Sequence, residues 1–139
     1  MSRRKRSAST PPQPEFCIDR NLGRSLPVLL TEQGWRLHLM AEEFPNDGQD
    51  VADEDWIEYG LKRGWMPLCK DGRIKGRDHE RAPLVAHAGV LFYLDNQSLL
   101  VEDMFRRIHQ SQAVIHRAVA RGGPAAYAIG ADAIRRTWP

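Results

Sequence analysis

Two short segments of the chain end alike. Phe16-Cys17-Ile18-Asp19 and Leu68-Cys69-Lys70-Asp71 each carry apolar residues toward a closing aspartate. A third aspartate, Asp53, opens a stretch in which Trp56, Ile57, Gly60 and Leu61 recur at helical spacing. If the two segments are adjacent parallel strands, Asp19 and Asp71 meet at one edge of a sheet. A crossover helix starting at Asp53 brings that carboxylate to the same edge. Three carboxylates so placed repel one another unless a hard cation neutralises them, and Mg2+ or Mn2+ held by oxygen ligands and water suits the chemistry. Taken singly, each aspartate is equally a turn former or a helix cap. The argument rests on the three together.

The elements that must position them can be read in order. Glu15–Asp19 has a short strand pattern, and Leu22, Leu26, Leu29 and Leu30 share one face of a helix over 21–33 that stops at Gly34. Pro27 either kinks that helix or marks its true first turn. Residues 35–40 alternate apolar and polar as a second strand, and 41–52 have loop composition. Asp53 is expected as the N-cap of a helix to Arg63, with acids in its first turn and Lys62 and Arg63 in its last. Residues 65–70 read as a third strand, with Pro67 awkward inside it. A basic loop over 72–77, a helix near 80–88 and a buried strand at Val90–Leu94 follow. Residues 98–120 form a long amphipathic helix or a pair of helices, and Ala125–Trp138 a hairpin. The alternation predicts an α/β fold, a mostly parallel central sheet flanked by helices with a C-terminal hairpin.

Charge sharpens this picture. The 139 residues carry a net +2, but Arg3, Arg4, Lys5 and Arg6 lie in an acid-free stretch over 1–14, and the remainder is net acidic. Residues 42–58 hold eight acids and no base. The chain is therefore not a generic basic nucleic-acid binder. Residues 1–14, with Ser-Thr-Pro-Pro-Gln-Pro at 9–14, read as a disordered basic tail, and 15–139 as a single domain. No apolar run is long enough to span a bilayer. Cys17 and Cys69 are too few for a disulfide scaffold or a zinc cluster. With no apolar leader, the expectation is a reducing cytoplasm.

Other candidates are weaker. His109 and His116 share a helix face without a third ligand, and there is no Gly-rich phosphate loop. Trp35, Trp56, Trp65 and Trp138 read as packing residues, and no aromatic pattern of a single-strand RNA-binding module is present. Leu99, Leu100, Met104, Ile108, Val114 and Ile115 form an apolar stripe that is either core or a dimer or partner surface.

From Phe16 to Leu94 the chain resembles the PIN-like nuclease superfamily, in particular the short branch beside the VapC-type toxins of bacterial toxin–antitoxin pairs. The matching segments are Phe16-Cys-Ile-Asp-Arg-Asn-Leu22, Asp53-Glu-Asp-Trp-Ile57 and Leu68-Cys-Lys-Asp-Gly-Arg-Ile74. The resemblance implies a PIN-like fold and a metal-dependent endoribonuclease with Asp19, Asp53 and Asp71 as catalytic metal ligands. Many members carry a further acid, for which Glu42, Glu43 and Asp55 are the candidates here. Phosphate contacts fall to bases at the rim: Arg20 and Arg24 after the first aspartate, and Lys70, Arg73, Lys75 and Arg77 around the third. The implied partners are an RNA substrate and a cognate antitoxin, with a homodimer as a further expectation.

Two readings follow. One is a Mg2+- or Mn2+-dependent ribonuclease acting as a toxin. The other is a weak or inactive PIN-like protein that binds or regulates through its helical C-terminal third. A receiver-like signalling domain is disfavoured by the lack of a Thr/Ser and Lys pair at later strand ends.

Overall fold

The computed structural model describes residues 13–70 and 78–139, with the side chains of 78–80 outside the description. Among the described residues, six strands form one sheet: β1 (Glu15–Ile18), β2 (Arg36–Leu39), β3 (Trp65–Cys69), β4 (Val90–Leu94), β5 (Ala125–Ile129) and β6 (Ile134–Trp138). Their order is β2-β1-β3-β4-β5-β6. The first five run parallel and β6 pairs antiparallel with β5, so the parallel sheet and the C-terminal hairpin are both present. The helices are α1 (Ser25–Glu32), α2 (Met40–Glu43), α3 (Asp53–Lys62), α4 (Asp78–His87), α5 (Val101–Gln110) and α6 (Gln112–Arg121). No helix is long and apolar enough to cross a membrane among the described residues.

The period of two in the strands decides which helices cover which face. Phe16, Ile18, Leu68, Phe92 and Tyr127 point to one side, where they pack with Leu26 and Leu30 of α1, Met104 and Ile108 of α5, and Ile115 of α6. Cys17, Cys69, Leu91 and Ala126 point to the other, against Trp56, Ile57 and Leu61 of α3 and Leu84 of α4. Each fully buried large side chain contributes roughly 1.5–3 kcal/mol, so both faces hold the sheet. Helix α3 sits close on β1 because Gly60 faces Cys17: a Cβ at Gly60 would run into the Cys17 sulfur.

Several sequence expectations are refined. The helix expected over 21–33 is a 3-10 turn, Arg20–Leu22, followed by α1, with Gly23 at φ 79° separating them. Pro27 then falls in the first turn of α1, where its missing N–H costs nothing. The 41–52 stretch is not all loop: α2 and a second 3-10 turn, Pro45–Gly48, lie within it, and Asn46 and Asp47 adopt left-handed backbone angles. Asp53 is the first helical residue of α3 and not its cap, which is Ala52. The stretch 98–120 is two helices broken at the buried Ser111.

Pro67 is tolerated for a reason of register. Leu68 accepts from the Asp19 N–H, so its backbone groups face β1 and those of Pro67 face β4. Pairing between β3 and β4 begins only at Leu68–Phe92. The missing N–H therefore falls before that ladder starts.

Of the apolar stripe on the last two helices, Met104, Ile108 and Ile115 are buried in the core, while Leu100 and Val114 are exposed. His109 accepts the Trp35 indole N–H at 3.0 Å, and His116 packs against Trp35 and Phe16. These histidines serve the core around Trp35.

Candidate active site

Strand order reverses at β1: the chain passes outward to β2 and returns on the other side as β3. Such a switch point opens a crevice at the carboxyl ends of the strands. Asp19 stands there, directly after β1, with its backbone N–H donating to the Leu68 carbonyl of β3 at 3.1 Å. Its side chain is buried, with the residue only 7% exposed. The N–H groups of Asn21 and Arg20 donate to its carboxylate. Burial, reinforced by the negative charge of Asp53, nevertheless pushes the Asp19 carboxyl up to about 6.

Asp53 reaches the crevice from the first turn of α3, and the Trp56 indole N–H donates to its Oδ1 at 3.0 Å. Trp56 is itself buried, so a packed ring sets the orientation of this carboxylate. Asp19 and Asp53 line a cavity of about 200 Å3 together with Arg20, Asn21, Met40, Phe44 and Gln49. A second cavity, about 140 Å3, borders Asp19 and Arg20 and extends to Arg24 and Asp47. Arg24 and Asp47 form an ion pair at 2.8 Å.

The remaining sequence candidates separate. Asp71, Arg73, Lys75 and Arg77 lie outside the described residues. Lys70 follows the end of β3 and is half-buried. Glu43 accepts the Tyr59 hydroxyl at 2.6 Å, and Glu42 and Asp55 are exposed; none of the three lines the Asp19–Asp53 cavity. Trp56 packs in the core, as its sequence context suggests. Its second part, as donor to Asp53, could have been found from the three-residue spacing that puts both on one turn. Asn21 and Gln49 carry no sequence signal beyond being polar.

Chemically, the oxygen donors of the crevice are the carboxylates of Asp19 and Asp53 and the side-chain amides of Asn21 and Gln49, which suit a hard divalent cation. Met40 adds a buried thioether to the wall. The Asp19 carboxyl is raised chiefly by its burial, and the neighbouring Asp53 charge adds to the shift. Among the described residues no group of three His, Cys, Asp or Glu forms a metal site. Asp19 and Asp53 are the described pair, and β3, which leads to Asp71, runs parallel beside β1.

A doubly wound sheet with paired carboxylates at its switch point agrees with the comparison against protein families, in which residues 14–96 match the family described as PIN like domain. The chain belongs to the PIN-like domain family, as its sequence motifs suggested. It is also 32% identical over 121 residues to the protein named "Putative ribonuclease VapC45" of Mycobacterium tuberculosis, covering 86% of this chain and 88% of that protein. No solved structure matches at a significant level. Ribonucleases with PIN domains generally use divalent metal ions.

Proposed function

We propose that this chain is a Mg2+- or Mn2+-dependent endoribonuclease, the toxin of a toxin–antitoxin pair, acting in the cytoplasm and restrained by a cognate antitoxin. The observation that carries the reading is the buried Asp19 carboxylate held beside Asp53 at the β1–β3 switch point. Family membership and the VapC relative support it. We further take residues 15–139 as one domain, with the basic residues 1–14 outside it.

In this reading Asp19, Asp53 and Asp71 hold the metal. When bound, the cation stabilises negative charge on the attacked phosphate and lowers the pKa of a water nucleophile. The chain's own residues do the positioning. Trp56 fixes the Asp53 carboxylate, and the backbone N–H groups of Arg20 and Asn21 fix that of Asp19. Arg20 lines the cavity, which supports a role for it as a phosphate contact, and the reading assigns the same role to Lys70, Arg73 and Lys75.

One observation favours the alternative of a weak or inactive binding protein: the candidates for an additional acid, Glu43 and Asp55, do not line the cavity. A single assay separates the two. Purified protein incubated with a mixed panel of structured RNAs should cleave in Mn2+ or Mg2+ and stop in EDTA. Growth arrest by the wild type with no cleavage of any RNA would instead support the binding reading.

A further inference from the structure

A run of aromatic rings leads away from the cavity on the side of the sheet that α3 covers. Phe44 lines the cavity and packs on Tyr59 with ring centroids 4.7 Å apart. Tyr59 meets Trp65 at 6.2 Å, and Trp65 stacks on His38 at 3.5 Å with the planes 6° apart. Arg63 lies over Tyr59, 3.5 Å from the ring centroid, and 5.9 Å from that of Trp65. Its Nη1 donates to the Tyr59 carbonyl at 2.9 Å. The four rings are only half-buried and Arg63 is exposed.

The rings lie open because β2 is an edge strand. Arg36 and His38 point to the same side of it, beside Glu15 of β1 and Trp65 of β3. Each polar group at the margin fixes a ring. Glu43 takes the Tyr59 hydroxyl at 2.6 Å, and Glu15 meets the His38 ring at 2.7 Å. Arg63 covers one face of Tyr59 and His38 one face of Trp65. The set therefore presents the exposed guanidinium plane of Arg63 and the half-buried outer sides of Trp65 and His38, joined to the carboxylate cavity through Phe44. Unpaired nucleobases are flat neutral partners for guanidinium and aromatic planes, and the backbone phosphates of the same strand pair with arginine charge, whereas a duplex hides its base faces.

We propose that Arg63, Tyr59, Trp65 and His38 form a stacking platform for unpaired bases of a single-stranded RNA that passes Phe44 to reach the Asp19–Asp53 cavity. The proposal rests on the nuclease reading for its direction along the strand. The platform itself is a binding surface that can be tested without cleavage. Arg63 contributes through its planar face, and its attachment to Tyr59 holds that face ready before the RNA arrives.

The test is equilibrium binding of a fluorescein-labelled oligouridylate to the full chain in EDTA, beside the same strand annealed to its complement. Arg63→Ala and Arg63→Lys are compared with the wild type, and thermal melts confirm that both fold. The single strand should bind more tightly than the duplex and lose about tenfold in affinity in Arg63→Ala. Arg63→Lys, which keeps the charge and loses the plane, should not restore it. Full rescue by lysine, equal affinity for the duplex, or no loss in Arg63→Ala overturns the platform. Cleavage in Mn2+ without Arg63-dependent binding removes this inference alone. Arg63-dependent binding without cleavage removes the nuclease reading alone.

Discussion

Trp56 donates its indole N–H to the Asp53 carboxylate at 3.0 Å, three residues along α3. The ring is buried against the sheet, so core packing and carboxylate orientation are set by one side chain. Trp56→Phe keeps most of the apolar burial and removes the donor. It should cost about 1 kcal/mol of stability for the lost hydrogen bond. It should also weaken metal retention, so that more Mn2+ is needed for half-maximal cleavage. Metal titration of activity checks this, and an unchanged midpoint would count against Trp56 as the residue that positions Asp53.

Asp19 predicts an unusual pH dependence in the metal-free protein. Its carboxyl titrates near 6 in the fold and near 3.8 in the unfolded chain. Between those values the folded state binds more protons than the unfolded one, so stability falls as pH rises through the window. The cost is complete above about 6 and amounts to roughly 3 kcal/mol. Asp19→Asn should therefore be more stable than the wild type above neutral pH in EDTA, with the gain vanishing below about pH 4. Denaturant titrations across pH measure it. A variant less stable than the wild type at every pH would show that the carboxylate is not strained.

Gly60 lets α3 approach β1. A glycine-to-alanine change in a helix ordinarily gains up to about 1 kcal/mol. Here the added Cβ meets the Cys17 sulfur, and overpacking of about 1–3 kcal/mol wins. Gly60→Ala should destabilise, and adding Cys17→Ala should recover much of the loss. Simple additivity in the double-mutant cycle would refute the contact.

Asp55 shares the first turn of α3 with Asp53 but is exposed and does not line the cavity. Asp55→Asn should cleave RNA within about twofold of the wild type, as surface substitutions away from a site usually do. Loss of cleavage comparable to that of Asp53→Asn would place Asp55 among the metal ligands after all.

Much of the fold was legible because strands and helices here carry clean periods. Phe16 and Ile18 alternate with Cys17, and Trp56, Ile57, Gly60 and Leu61 recur at helical spacing. Asp19 and Asp53 were legible as a pair only through topology, since nothing local says that the ends of β1 and the start of α3 meet. The turns within 41–52 were not legible: α2 is four residues long, too short for a period, and Asn46 and Asp47 break the next turn with left-handed angles. The ring cluster was invisible for another reason. Phe44, Tyr59, Trp65 and His38 come from four separate stretches and meet only once β2 pairs beside β1 and α3 crosses to β3.

The most direct test of the central claim is RNA cleavage by the wild type, Asp19→Asn and Asp71→Asn, each with Mn2+ and with EDTA. The account predicts metal-dependent cleavage by the wild type and a loss of at least a hundredfold in both variants, with Asp19→Asn still folded. Cleavage that persists in EDTA, or that survives either substitution, would contradict a carboxylate-held metal as the catalytic centre.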